Sequence, residues 1–242
     1  MKISVTTAKW KTKEIEALIV PMGVKEKIPA GLPPMAEQLL SDTIKRKEFT
    51  GAKGEMKAFL IPAGASGLRH VIVVGIGKPG HLDMVAFSKL VANVLRTVQS
   101  MKAVNVGFWL RDVLVKSYPE AQTFGELLAA YAVMSGYEFE EYRKKKVSKI
   151  KTLILYLENK KEVSPVKKGV EVGSLIGRIT NESRNLGNHP SNVANPKHLA
   201  QFMVQVAKEE SGLTAKVLGE KDMEKLGMGG ILGVGKGADQ DA

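Results

Sequence analysis

The chain has 242 residues, 44% of them hydrophobic and 25% charged, with no cysteine and a formal net charge of +11. This composition belongs to a globular protein with a substantial core; it excludes disorder along most of the chain, disulfides, thiolate metal sites and cysteine nucleophiles. No apolar run approaches the roughly 18 residues of a membrane span, and "MKISVTTAKWKTKEIEALIV" lacks the unbroken apolar stretch of a signal peptide, so no membrane partner is expected and the expected location is cytoplasmic.

Six short apolar runs read as strands: "KISVTTA", "EALIVPMG", "MKAFLIPA", "HVIVVGIG", "AVNVGFWLR" and "IKTLILYL". Several are apolar at successive positions, as strands buried on both faces are. Helical periodicity falls between them, most clearly from Asp83 to about Gln99, where Val85, Leu90, Val91, Val94, Leu95 and Val98 form a broad stripe, and from Glu120 through Met134. The alternation predicts an α/β fold. A polar stretch around Ser164 and Pro165 then leads into a long helical segment, Val166 to about Leu186.

"GNHPSNVANP" breaks the periodicity and reads as a loop. Asn195 caps a new helix with Pro196 at its first position, apolar at Leu199, Phe202, Met203 and Val206, and stopped by Gly212. A strand at "TAKVL", a short helix around "KDMEKL" and a glycine loop complete the chain. With one strand to cover the apolar stripe, this second unit reads as unfinished, and it is expected to be loosely held or docked on another copy.

Several motifs invite chemistry. "GIGKPG" (Gly75, Gly77, Gly80) satisfies G-x-G-x-x-G between a strand and a helix, but Asp83 is the better helix cap and the motif follows the fourth strand, whereas a dinucleotide unit usually opens with its first. His70, His81, His189 and His198 fall in no metal-binding spacing, Glu209 and Glu210 read as helix surface, and no G-x-S-x-G occurs. Between Glu140 and Lys168 there are ten basic residues against four acidic ones, which supplies over half of the net charge. Arg143, Lys144, Lys145, Lys146, Lys149 and Lys151 are its candidate phosphate-facing residues, weighed against an ordinary solvated face.

The terminal "GGILGVGKGADQDA" fits G-x-x-x-x-G-K at Gly230, Gly235 and Lys236, but Gly237 stands where a phosphate loop needs Ser or Thr, and no strand precedes it. Lys236 and Asp241 could also pair at a metal.

"RNLGNHPSNVANP" (Arg184–Pro196) and "LGMGGILGVGKGA" (Leu226–Ala238) together resemble the leucine aminopeptidase (cytosol aminopeptidase) family. The first is similar to its R-[DN]-L-x-N-x-P-x-N-x-x-x-P at the entry to the catalytic domain, the second to its G-M-G-x-x-L-x-V-x-x-G-S loop. "VIVVGIGK" and "FGELLAAY" sit where the family's N-terminal domain has similar segments. Ala238 replaces the usual serine and Asn195 the usual threonine, both at structural positions.

The resemblance implies an N-terminal mixed β-sheet flanked by helices, macro-domain-like, over residues 1–165. A linking helix over 166–186 and the truncated beginning of the peptidase domain, an incomplete second α/β domain, over 187–242 follow. It also implies an aminopeptidase in which two divalent ions, zinc or manganese, acidify a water and polarise the scissile carbonyl of peptide substrates, while lysine and arginine stabilise the oxyanion. The family's G-K-G-x-T-F-D-S-G-G segment and later acidic segments carry that work. "GKGADQDA" lacks the Thr-Phe-Asp core, so no catalytic residue, metal ligand or cofactor is expected within these 242 residues. The resemblance further implies a hexameric homo-oligomer at full length and, as in some bacterial members, contact of the N-terminal domain with DNA; the alternative function is thus a DNA-binding or assembly domain that uses the basic 140–168 span.

Overall fold

The six apolar runs form strands β1 (Lys2–Thr6), β2 (Ala17–Gly23), β3 (Met56–Leu60), β4 (His70–Gly77), β5 (Asn105–Leu110) and β6 (Thr152–Leu157). The structure is a computed structural model; it describes the chain apart from residues 12, 63–66, 79, 81, 116, 117, 119, 145–148 and 238–242. The strands make one sheet in the order β1-β6-β5-β2-β4-β3. All neighbours are parallel except β3, which runs antiparallel to β4. Every residue of β2 is buried, and all of β4 after His70, as strands covered on both faces require.

Helices α1 (Pro34–Lys45), α2 (Met84–Ser100), α3 (Asp112–Val115), α4 (Ala121–Ser135) and α5 (Val163–Asn188) fill the connections. Ala36 and Leu40 of α1 pack on one face of the sheet, with Ile15, Leu18, Val20 and Val73. The stripes of α2 and α4 and the first turns of α5 pack on the other, against Ile19, Ile72, Phe108, Leu153 and Leu155. Asp83 caps α2, its carboxylate accepting from the Ala86 amide at 2.7 Å. That bond holds the Asp83 carboxyl below its usual range; burial works weakly against it and Lys53 assists.

Helices α4 and α5 approach through glycine. A Cβ on Gly125 would meet the Val166 backbone, and one on Gly169 or Gly173 would collide with the backbone of Gln122 or Glu126. Gly169, Gly173 and Gly177 recur every four residues, so one face of α5 is bare where α4 lies against it. Asn181 then donates its side-chain amide to the Val133 carbonyl at 3.1 Å.

The chain divides into two compact units, Met1–Asn181 and Glu182–Ala242. The second contains the end of α5 with α6 (Pro196–Glu209), α7 (Glu220–Lys225) and α8 (Gly229–Gly235). Asn195 caps α6 by accepting from the His198 amide, with Pro196 at the first position, and Gly212 takes a left-handed φ of 88° after it.

Two expectations fail here. "TAKVL" forms no strand, because the described residues of this unit offer no neighbouring strand to its amides and carbonyls. The glycine loop is helical over Gly229–Gly235, its bonds supplied locally: the Leu232 amide donates to the Met228 carbonyl and the Lys236 amide to that of Leu232. Met223 is the one large apolar residue buried among those described in this unit. Leu199 and Met203 of α6 are half exposed, Leu226 is 64% exposed and Val234 82%.

Candidate functional site: a cleft at the strand ends

Strands β2 and β5 lie side by side and parallel, yet the chain leaves them toward opposite faces, β2 for α1 and β5 for α4. Such a reversal leaves a crevice beyond the carboxyl ends of the strands, the usual ligand position in open α/β sheets. The ladder between them is short, covering only Ala17–Ile19 against Val106–Phe108. Pro21 has no amide with which to extend it, while the ladder to β4 continues on its other side.

Arg111, just past β5, ties these ends together. Its Nη1 lies 2.5 Å from Glu26 Oε1, in the segment after β2, and its Nε 3.8 Å from Glu158 Oε1, after β6. Both carboxylates are held in turn: Glu26 accepts from the Gly23 amide at 2.6 Å and Glu158 from the Asp112 amide at 3.0 Å. The guanidinium also stands 5.9 Å from the centre of the Trp109 ring. Trp10, on the segment after β1, faces Trp109 with ring centroids 6.5 Å apart.

Beside these rings opens a cavity of about 410 Å³, lined in part by Lys9, Trp10, Gly31, Trp109, Tyr156 and Glu158. The Tyr156 hydroxyl is buried with no hydrogen-bond partner among the described residues. Burial, then the nearby Glu14 charge, pushes that phenol up from its ordinary value.

The motifs singled out from sequence stand elsewhere. Gly75 and Gly77 serve packing, since a Cβ at Gly75 would collide with the Ala52 carbonyl and Gly77 takes a φ of 76° against Lys53. Helix α2 starts only at Met84, so its amides lie past the glycines. His70 opens β4, where burial and then Arg69 push its pKa down; His189 and His198 meet edge to face with ring centroids 5.6 Å apart; His81 lies outside the described residues. Lys236 ends α8, while Ala238 and Asp241 lie outside the described residues. Among the described residues no three His, Asp or Glu side chains converge as a metal site, so these residues do not fit a two-metal centre.

In the basic span, Arg143 pairs with Glu138 at 3.0 Å and Lys149 with Glu140 at 2.5 Å. Lys144 and Lys151 are exposed, and Lys145 and Lys146 lie outside the described residues. Strand β6 divides the span: Lys149 and Lys151 precede it and Lys160, Lys161, Lys167 and Lys168 follow it, at the two ends of a six-residue strand of roughly 20 Å.

Similarity to known proteins decides the family. Residues 24–146 match the family model "Cytosol aminopeptidase family, N-terminal domain", and residues 181–242 match its "catalytic domain". The chain belongs to the cytosol aminopeptidase family. A probable cytosol aminopeptidase of Thioalkalivibrio sulfidiphilus is 33% identical over 208 residues, 84% of this chain and 41% of that protein. Among solved structures, a mutant tomato leucine aminopeptidase superposes with a TM-score of 0.75 at 17% identity, over 97% of this chain and 48% of that one. The bottromycin maturation enzyme BotP in complex with Mn gives 0.70 at 20% identity, over 93% of this chain and 43% of that one. At those identities the structural likeness shows the fold alone. The chain thus spans less than half the length of these relatives. None of the described helices is long and apolar enough to cross a membrane.

Proposed function

We propose that these residues are the N-terminal part of a metal-dependent leucyl aminopeptidase that acts in the cytoplasm as a hexamer and removes N-terminal residues from peptides by two-metal hydrolysis. The observation that carries this reading is the pair of family matches, N-terminal domain then catalytic domain, in their order along one chain. Manganese in the BotP complex supports the metal dependence, with zinc as the alternative ion. The 242 residues alone are inactive in this reading, because the G-K-G-x-T-F-D-S-G-G segment to which the resemblance assigns catalysis is not among them.

The test is hydrolysis of leucine p-nitroanilide with added zinc or manganese, comparing this polypeptide with one extended by a cytosol aminopeptidase C-terminal half. The extended protein is expected to turn over and the 242 residues not. Metal-dependent turnover by the 242 residues that disappears in Lys236→Ala would overturn the claim of inactivity.

A second reading, DNA contact through the basic span, is favoured by the exposure of Lys160, Lys161, Lys167 and Lys168 around the start of α5. Binding through several phosphates falls steeply between ~50 and ~200 mM salt. A flat gel-shift titration at low salt would remove that reading.

A further inference from the structure

We propose that the cleft at the carboxyl ends of β1, β2, β5 and β6 binds a nucleotide, with its base against Trp10 and Trp109 and its phosphate at Lys9. Position is the first argument. Each of these four strands delivers residues to the cavity from the chain just beyond or within its last turns: Lys9 and Trp10 after β1, Gly31 after β2, Trp109 in β5, Tyr156 and Glu158 at the end of β6. Connections leave β1 and β2 toward one face and β5 and β6 toward the other, so the opening lies where an α/β sheet receives ligands.

The walls supply the second argument. Two indoles and a phenol give flat apolar surface suited to a planar ring, and about 410 Å³ is within the range of small-molecule sites. Glu158 is oriented by the Asp112 amide and Arg111, and its oxygens keep lone pairs for the exocyclic amine of a base. Tyr156 brings a buried hydroxyl that lacks a partner among the described residues.

Charge supplies the third. Trp10 is carried in "KWKTK", between Lys9 and Lys11. Lys11 is paired with Glu14 at 3.3 Å, whereas Lys9 is exposed at the mouth and in none of the ion pairs among the described residues. An apolar wall of two indole faces, tilted 54° to each other, with the exposed Lys9 ammonium beside it suits a base joined to a phosphate better than it suits either alone.

The chain's two tryptophans both stand at this cleft, so indole emission of the whole protein reads this site and no other. Titration with AMP is expected to quench that emission saturably, adenosine to bind about tenfold more weakly, and inorganic phosphate to leave the emission unchanged. Lys9→Ala, an exposed substitution that leaves the melting temperature unchanged, should bring AMP to the affinity of adenosine. Trp10→Phe should lower the quenching amplitude while keeping AMP ahead of adenosine. Absence of saturable quenching by AMP, the same response to phosphate or to free leucine, or an unchanged AMP affinity in Lys9→Ala would each overturn the assignment. None of these readouts depends on peptidase turnover, so failure here and failure of the proposed aminopeptidase activity are told apart.

Discussion

At the scale of single residues, Tyr118 shows how the core holds a polar atom that it does not use. Its ring packs against Phe87 at 5.2 Å and Phe124 at 5.7 Å, and its hydroxyl is buried without a partner among the described residues. Burial first, then the nearby Tyr131 and Asp83, push the phenol from 10.0 up to about 12. The neutral form is therefore favoured in the folded chain. The stability linked to Tyr118 is complete below the unfolded value of 10.0 and is lost as pH rises through about 12. Denaturant titrations between those pH values should show the loss, and Tyr118→Phe should flatten that slope. At neutral pH the same variant is expected to be neutral or slightly stabilising, because it removes an unpaired buried hydroxyl and keeps the ring. A clear loss of neutral-pH stability would mean that the hydroxyl has a partner.

At the scale of elements, the α4–α5 contact reverses the usual rule for glycine. In an exposed helix Gly→Ala gains up to about 1 kcal/mol. At Gly173 the added methyl would run into the Glu126 backbone, which cannot rotate away. Gly173→Ala is expected to destabilise the first unit by about 1–3 kcal/mol in urea unfolding, while Gly187→Ala, with open space around it in the last turn of α5 and outside that unit, leaves the first unit's unfolding unchanged. The six strands were legible in the sequence because runs such as "LIVPM" and "VIVVGI" are apolar on both faces. Helix α1 was not singled out: it starts at the second of two adjacent prolines, Pro33 and Pro34, and buries only Ala36 and Leu40. "TAKVL" misled because strand propensity describes a half-buried surface and supplies no neighbour. The glycines of α8 misled in the opposite sense, since four of its seven residues are glycine and helix formation there runs against propensity. The cleft was illegible for a further reason. Trp10, Trp109 and Glu158 are far apart in sequence, and only the strand order makes them neighbours.

At the scale of the whole molecule, the two units differ in how completely they are closed. Residues of the first unit bury apolar side chains on both faces of its sheet, whereas α6 of the second buries none. Each large side chain left in water forgoes roughly 1.5–3 kcal/mol. Limited proteolysis of dilute protein should therefore cut first between Gly187 and Asn195 and around Gly229–Gly235, leaving a resistant core that ends in α5. Uniform resistance of that region in a demonstrated monomer would show that the second unit is complete without further cover.

The order of the sheet also sets a timetable. Strand β1 begins with Lys2 opposite Thr152, so the first strand of this sheet in chain order pairs with its last. At roughly 5–20 residues per second, β1 waits on the order of 10–30 s on the ribosome for its neighbour. Strands β2, β3 and β4 are within reach of one another much earlier, and closing the longest loop comes last because its entropy is compensated only when β6 is already in place. Until then β6 is an edge: Leu153 and Leu155, buried in the finished sheet, have only β5 beside them. A substitution that slows the docking of β1 would leave that edge open to pairing with another chain, so aggregation during synthesis, rather than loss of final stability, is the cost that this topology places on β1.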